Sequence, residues 1–167
     1  SKRPLGQKLQ LIKTRINNAA IKSGRNPNNI TIVAVTKTFP PGIWDTALQN
    51  QLTTIGESRI QEAENKNKKF TNRKKIELHF IGHLQGNKAR KAIQLFDVIQ
   101  TIDSLKLAKR INILSKQIKK IQKIFLQVNT SGDHNKHGFT PEETIVAAKE
   151  IAKMMNIALI GIMIIPP

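Results

Sequence analysis

The chain has 167 residues, 39% of them hydrophobic and 23% charged, with a formal net charge of +17 and no cysteine. That length supports one sizeable core, and the missing thiols exclude disulfides, thiolate zinc sites and cysteine nucleophiles. No apolar stretch is long enough to span a membrane.

Ser1-Lys2-Arg3-Pro4-Leu5-Gly6 is polar and basic with no apolar segment behind it, so a cytoplasmic location is expected. From Gln7 to Ile21, Leu9, Ile12, Ile16, Ala19 and Ala20 recur at helical spacing, and Ser23-Gly24-Arg25-Asn26-Pro27 ends the helix. The run Ile30-Thr31-Ile32-Val33-Ala34-Val35-Thr36 reads as a strand that delivers Lys37 to its C-terminal end. Pro40-Pro41-Gly42 then breaks it. In α/β folds ligands bind at that end of the sheet, which makes Lys37 a candidate amine nucleophile. The competing reading is a lysine that merely extends its ammonium into solvent.

Pro41 to Gln49 is a predicted helix with Ile43, Trp44, Ala47 and Leu48 on its buried side, followed by a strand from Leu52 to Glu57. A polar helix runs from Ser58 to Phe70, and Ile76 to Gly82 alternates like a strand. Lys88 to Phe96 is helical, Asp97 to Asp103 is a strand, and Ser104 caps a long helix reaching about Ile121. Ile124 to Asn129 is the fifth strand. Thr140-Pro141-Glu142-Glu143 has the threonine, proline and glutamate spacing of a helix start, and Leu159 to Ile165 is the sixth strand. Six strands alternating with helices make a parallel α/β protein, doubly wound or of (β/α)₈ TIM-barrel type. The missing Gly-x-Gly-x-x-Gly after the first strand disfavours a dinucleotide-binding sheet. As a barrel, residues 1–167 form a single domain that stops after its sixth strand.

The positive charge raises a polyanion-binding reading. However, the charges are spread between a loop around Lys66 to Lys75 and the helix carrying Lys106 to Lys123, and such runs read as solvated faces. No metal site is expected. His79 and His83 are four apart across a strand and a loop, where that spacing does not align them. The segment Asp133-His134-Asn135-Lys136-His137-Gly138 lacks the bidentate glutamate of a calcium loop, with Thr144 at that position. The loops after the strands place Glu57, His79, Gln85, Asn87, Lys88, Asn129 and Ser131 around one rim, which suits a small polar ligand.

These segments, in this order, also carry a resemblance. Val35-Thr36-Lys37-Thr38, Gly56-Glu57-Ser58-Arg59, His79-Phe80-Ile81-Gly82-His83-Leu84-Gln85-Gly86-Asn87-Lys88, Gln127-Val128-Asn129-Thr130-Ser131 and Gly161-Ile162-Met163-Ile164-Ile165-Pro166 are similar to the pyridoxal phosphate homeostasis proteins. These are relatives of the alanine racemase N-terminal barrel. The resemblance implies that Lys37 forms an internal aldimine with pyridoxal 5′-phosphate (PLP), with Glu57, Ser58, His79, Asn87, Asn129 and Met163 as further cofactor-binding residues. A Schiff base needs a neutral amine, which partial burial or a nearby cation such as Arg59 or Lys88 favours.

The implied role is intracellular vitamin B6 homeostasis as a monomeric carrier that hands PLP to apo PLP-dependent enzymes, without strong catalysis of its own. An amino-acid racemase-like enzyme is the alternative, disfavoured because the chain has no tyrosine to serve as a second base. A basic nucleic-acid-binding protein is the third. Gly56-Glu57-Ser58-Arg59 departs from the family's usual Gly-Glu-Asn-Tyr, and the family's phosphate-binding segments are expected beyond residue 167.

Overall fold

The computed structural model describes residues 4–167, so the terminal reading at Ser1 to Arg3 lies outside the described residues. All six expected strands form: β1 (Ala34–Val35), β2 (Thr54–Glu57), β3 (Glu77–Phe80), β4 (Val98–Ile102), β5 (Gln122–Gln127) and β6 (Ile157–Met163). They alternate with α1 (Leu5–Lys22), α2 (Ile43–Gln49), α3 (Ile60–Lys68), α4 (Ala89–Leu95), α5 (Leu105–Gln117) and α6 (Pro141–Ile151). No described helix is long and apolar enough to cross a membrane.

The strands pair in parallel in the order β1-β2-β3-β4-β5-β6. A doubly wound sheet reverses its order at a switch point, and this one does not. Right-handed crossovers that always advance in the same direction leave every helix on one face of the sheet, as in a TIM-type barrel wall. The register makes the two faces explicit, because partners in a parallel ladder share a face. Ala34, Ile55 and Leu78 are aligned, as are Ile99, Ile124 and Leu159, and these point toward the helices. There they pack with Trp44, Ala63, Ala92, Ile93, Leu107, Ala108, Ile111 and Ile151 into one continuous core. Val35, Gly56 and His79 form the opposite, inner row.

Local chemistry sets the helix ends. Ser104 caps α5 by accepting from the Leu107 amide at 3.1 Å. At α6 the Thr140 hydroxyl accepts from the Glu143 amide at 3.1 Å, while the Glu143 carboxylate accepts from the Thr140 amide at 3.0 Å. Two orphan donors are thus satisfied together.

Helix α1 forms where its spacing predicts, with Leu9 and Ala20 buried and Ile12 47% exposed. Two expectations need correction. The first strand spans only Ala34–Val35, with β2 as its partner among the described residues. Helix α5 ends at Gln117 rather than near Ile121, since Lys119 turns left-handed at φ 56° and the Lys120 amide returns to the Ser115 carbonyl. That reversal carries the Lys120 ammonium inward to the carbonyls of Ile93 and Phe96, so this cation is not part of a solvated face.

Thr140→Ala removes the reciprocal cap of α6 and is expected to cost about 1 kcal/mol, read as a lower urea midpoint at unchanged slope.

Candidate functional site

The C-terminal end of β1 is held by side chains rather than by a ladder. The fully buried Glu57 points into the helix layer, and its Oε2 accepts three hydrogen bonds. These come from the Thr36 hydroxyl at 2.5 Å, the Trp44 indole at 3.0 Å and the Lys66 ammonium at 2.8 Å. Lys66 also donates to the Thr36 carbonyl at 2.7 Å and to Glu62 at 2.9 Å. Glu62 in turn accepts from the Thr38 amide at 2.5 Å. Residues on both sides of Lys37 are therefore anchored to α3 and β2.

Thr36 is buried against the helices, so backbone alternation sends Lys37 off the other face, toward the inner row. Lys37 is exposed, and no hydrogen bond or ion pair engages its ammonium among the described residues. The partial burial expected of a strand end is absent, and β1 has β2 alone beside it among the described residues.

The other expected site residues fall into three groups. His79 and Met163 lie on the inner row with Lys37: His79 aligns with Gly56, and Met163 aligns with Gln127. His79 is buried, and both of its ring nitrogens are engaged, by Gln100 at 2.8 Å and Glu77 at 3.0 Å. With the Gln100 amide donating to Nδ1, Nε2 carries the proton and donates to Glu77. Its ring also meets Phe125 edge-on. His79 thus offers a ligand its fixed ring rather than a free nitrogen.

Ser58, Asn87 and Asn129 are loop residues. Ser58 is half-buried and, with Arg59, Gln85 and Lys88, lines a cavity of about 590 Å³ between α3 and the loop after β3. Gly82 lets the loops after β2 and β3 meet, since a side chain there would overlap the Ser58 carbonyl. Asn87 is exposed on a 3₁₀ turn, Gly86–Lys88. Asn129 is half-buried and organises its own loop: its amide donates to the Asp133 carbonyl at 2.8 Å, and its carbonyl accepts from the Ser131 amide and hydroxyl. Ser131 itself is exposed.

Glu57 stands apart. Its residue type suggested a rim contact, but it lies one residue out of phase with Gly56 and so faces the helices. It acts on Lys37 through Thr36.

Sequence reasoning missed Lys66, which is only 3% exposed, by counting it in a charged loop. The one available signal was the Glu62 and Lys66 pair at i, i+4. It also missed a cluster in which the loops after β3, β4 and β5 bring His83, Asp103 and His137 together.

Breaking a buried ion pair strands a charge, so Lys66→Met is expected to cost roughly 3–5 kcal/mol in denaturant unfolding. The Glu62 carboxyl is partly buried, which opposes ionisation. Even so, hydrogen bonds from Lys66 and the Thr38 amide, with the charges of Lys66 and Arg59, hold it below its ordinary value of 4.5. A depressed carboxyl stabilises the folded state fully above its unfolded value and loses that contribution as pH falls through the folded value. The stability difference between wild type and Glu62→Gln should therefore shrink as the pH is lowered from about 5 to about 3, measured by urea midpoints.

Comparison with known proteins agrees with this architecture. Residues 9–167 match the model of the alanine racemase N-terminal domain family. The pyridoxal phosphate homeostasis protein of Haemophilus influenzae is 36% identical over 159 residues, covering 95% of this chain and 67% of that protein. Its counterpart in Escherichia coli is 32% identical, covering 97% of this chain and 70% of that one. PipY of Synechococcus elongatus, solved with PLP bound, superposes with a TM-score of 0.77 at 30% identity, covering 90% of this chain and 69% of that chain. The match to the family runs through the strand that presents Lys37, the clamp that holds it and all six strands of the wall. The chain belongs to the alanine racemase N-terminal domain family and, within it, to the pyridoxal phosphate homeostasis proteins.

Proposed function

We propose that this protein binds PLP through Lys37 and serves intracellular vitamin B6 homeostasis, releasing the cofactor to apo PLP-dependent enzymes. The observation that carries this reading is an unengaged amine, exposed at the C-terminal end of β1 and bracketed by the anchored Thr36 and Thr38. PLP, when bound, would supply an aldehyde reactive toward a neutral primary amine, and Lys37 would hold it. Lys37 lies outside any ion pair among the described residues and so is free to be the donor amine, and relatives of this chain are named for PLP homeostasis.

The chain's own residues each do something definite in this reading. Glu57, Lys66 and Glu62 fix the backbone around Lys37, so its side chain sweeps a limited volume above the inner row. His79, locked by Glu77 and Gln100, presents a flat ring on that row, with Met163 at the same level of the sheet as Gln127. Ser58, Asn87 and Asn129 supply polar groups from the surrounding loops.

A carrier is favoured over a racemase-like enzyme. Two-sided proton exchange needs a second base opposite the lysine, and this chain offers no tyrosine for it. His79 is also a poor candidate for that base, because both its nitrogens already have partners. In this reading the protein acts as a cytoplasmic monomer without strong catalysis of its own.

Incubation with PLP, borohydride reduction and mass mapping test it directly. A phosphopyridoxyl adduct is expected on Lys37, and Lys37→Ala should abolish the adduct while leaving the circular dichroism spectrum and the unfolding midpoint unchanged. An adduct spread over many surface lysines and undiminished in Lys37→Ala would overturn the assignment.

A further inference from the structure

The inner end of the sheet holds a second constellation outside the residues assigned above to PLP. His83 follows β3, Asp103 follows β4, and His137 lies in the loop between β5 and α6. One ligand atom from each lies within 4.8 Å of the others. The two imidazoles stack face to face, with centroids 3.8 Å apart and planes inclined by 13°, so one ring must turn about its Cβ–Cγ bond to bring both lone pairs onto one ion. Their Nδ1 atoms lie 3.4 and 3.6 Å from the same oxygen, Asp103 Oδ2.

Those separations are informative. They are longer than the 2.7–3.2 Å or so of a good N–H···O bond. They match instead the edge of a tetrahedron whose metal–ligand bonds are about 2.0–2.1 Å. The Asp103 side chain is only 14% exposed, and its carboxylate receives no hydrogen bond among the described residues. A mostly buried carboxylate without a hydrogen-bond donor, aimed at two imidazole nitrogens, is an anion short of a partner.

The loop is built to hold His137 in that position. Asn129 ties the carbonyl of Asp133 and, more loosely, that of Lys136. Gly138 takes φ +123°, and a side chain there would press on the Asn129 amide at 2.7 Å. The residue before His137 and the residue after it are thus both constrained.

We propose that His83, Asp103 and His137 form a site for a divalent first-row transition-metal ion. Two imidazoles and one carboxylate suit Zn²⁺, Ni²⁺, Cu²⁺ or Co²⁺, whereas Mg²⁺ and Ca²⁺ prefer all-oxygen shells. Three protein ligands leave at least one position for water or an exogenous ligand. Because the ligands come from three successive strand ends, the ion would also tie the β5–α6 loop to the two loops beside it.

The test uses untagged, PLP-free protein, so its outcome is independent of the Lys37 reading. Zn²⁺ is titrated calorimetrically, and Co²⁺ is followed by its visible absorption. One equivalent of Zn²⁺ should bind. Asp103→Asn and His137→Ala should each weaken it by roughly tenfold or more. His134→Ala, in the same loop but outside the cluster, should leave it unchanged, and Mg²⁺ should give no saturable heat. Circular dichroism confirms that each variant is folded. Absence of saturable Zn²⁺ binding would overturn the proposal. So would binding that survives intact in folded His83→Ala and His137→Ala.

Discussion

The ion pair between Glu57 and Lys66 is the interaction on which the rest of the site depends. Two charges are withdrawn from water where β1, β2, α2 and α3 meet. Such a pair repays its desolvation only when its remaining hydrogen-bonding capacity is satisfied. Here one carboxylate oxygen collects Thr36, Trp44 and Lys66, while the other, Oε1, has no partner. The arrangement is therefore better read as a positioning device than as a source of stability. A hydrophobic substitute would fill the space but could not fix the register of Thr36 and Thr38.

That matters because β1 has little else to define it. Its ladder to β2 spans two residues, and its outer edge has no neighbouring strand among the described residues. An edge strand of that length would fray if backbone pairing alone held it. The side-chain clamp takes over where the ladder stops, at Val35, two residues before Lys37. A rigid backbone around an exposed side chain confines the amine without burying it.

The strong positive charge takes on a different meaning in three dimensions. Arg73 pairs with Asp97 at 2.9 Å and donates to the Leu95 carbonyl at 2.7 Å, so it joins α4 to β4. Lys120 satisfies two carbonyls at the end of α4, and Lys66 is enclosed by the clamp. Three cations that seemed to belong to solvated runs instead serve as internal hydrogen-bond donors, which weakens the case for a continuous polyanion-binding face.

Much of the fold was legible in sequence because it rests on local periodicity. Apolar strands at regular spacing, the Ser104 cap and the Thr140 to Glu143 capping box are short-range signals, and each formed where its residues stood. Lys37 was legible for the same reason, as a lysine at the end of an apolar run. The sequence by itself thus determined the element order, the place of Lys37 just after β1 and, through its motifs, the family. Only the tertiary structure decided which way the neighbouring side chains face and which distant residues meet. Glu57 turned to the helices because a period of two places it opposite Gly56. Lys66 went inward, and His83, Asp103 and His137 converged, because parallel strands bring successive loop ends to one rim however far apart they lie in the chain.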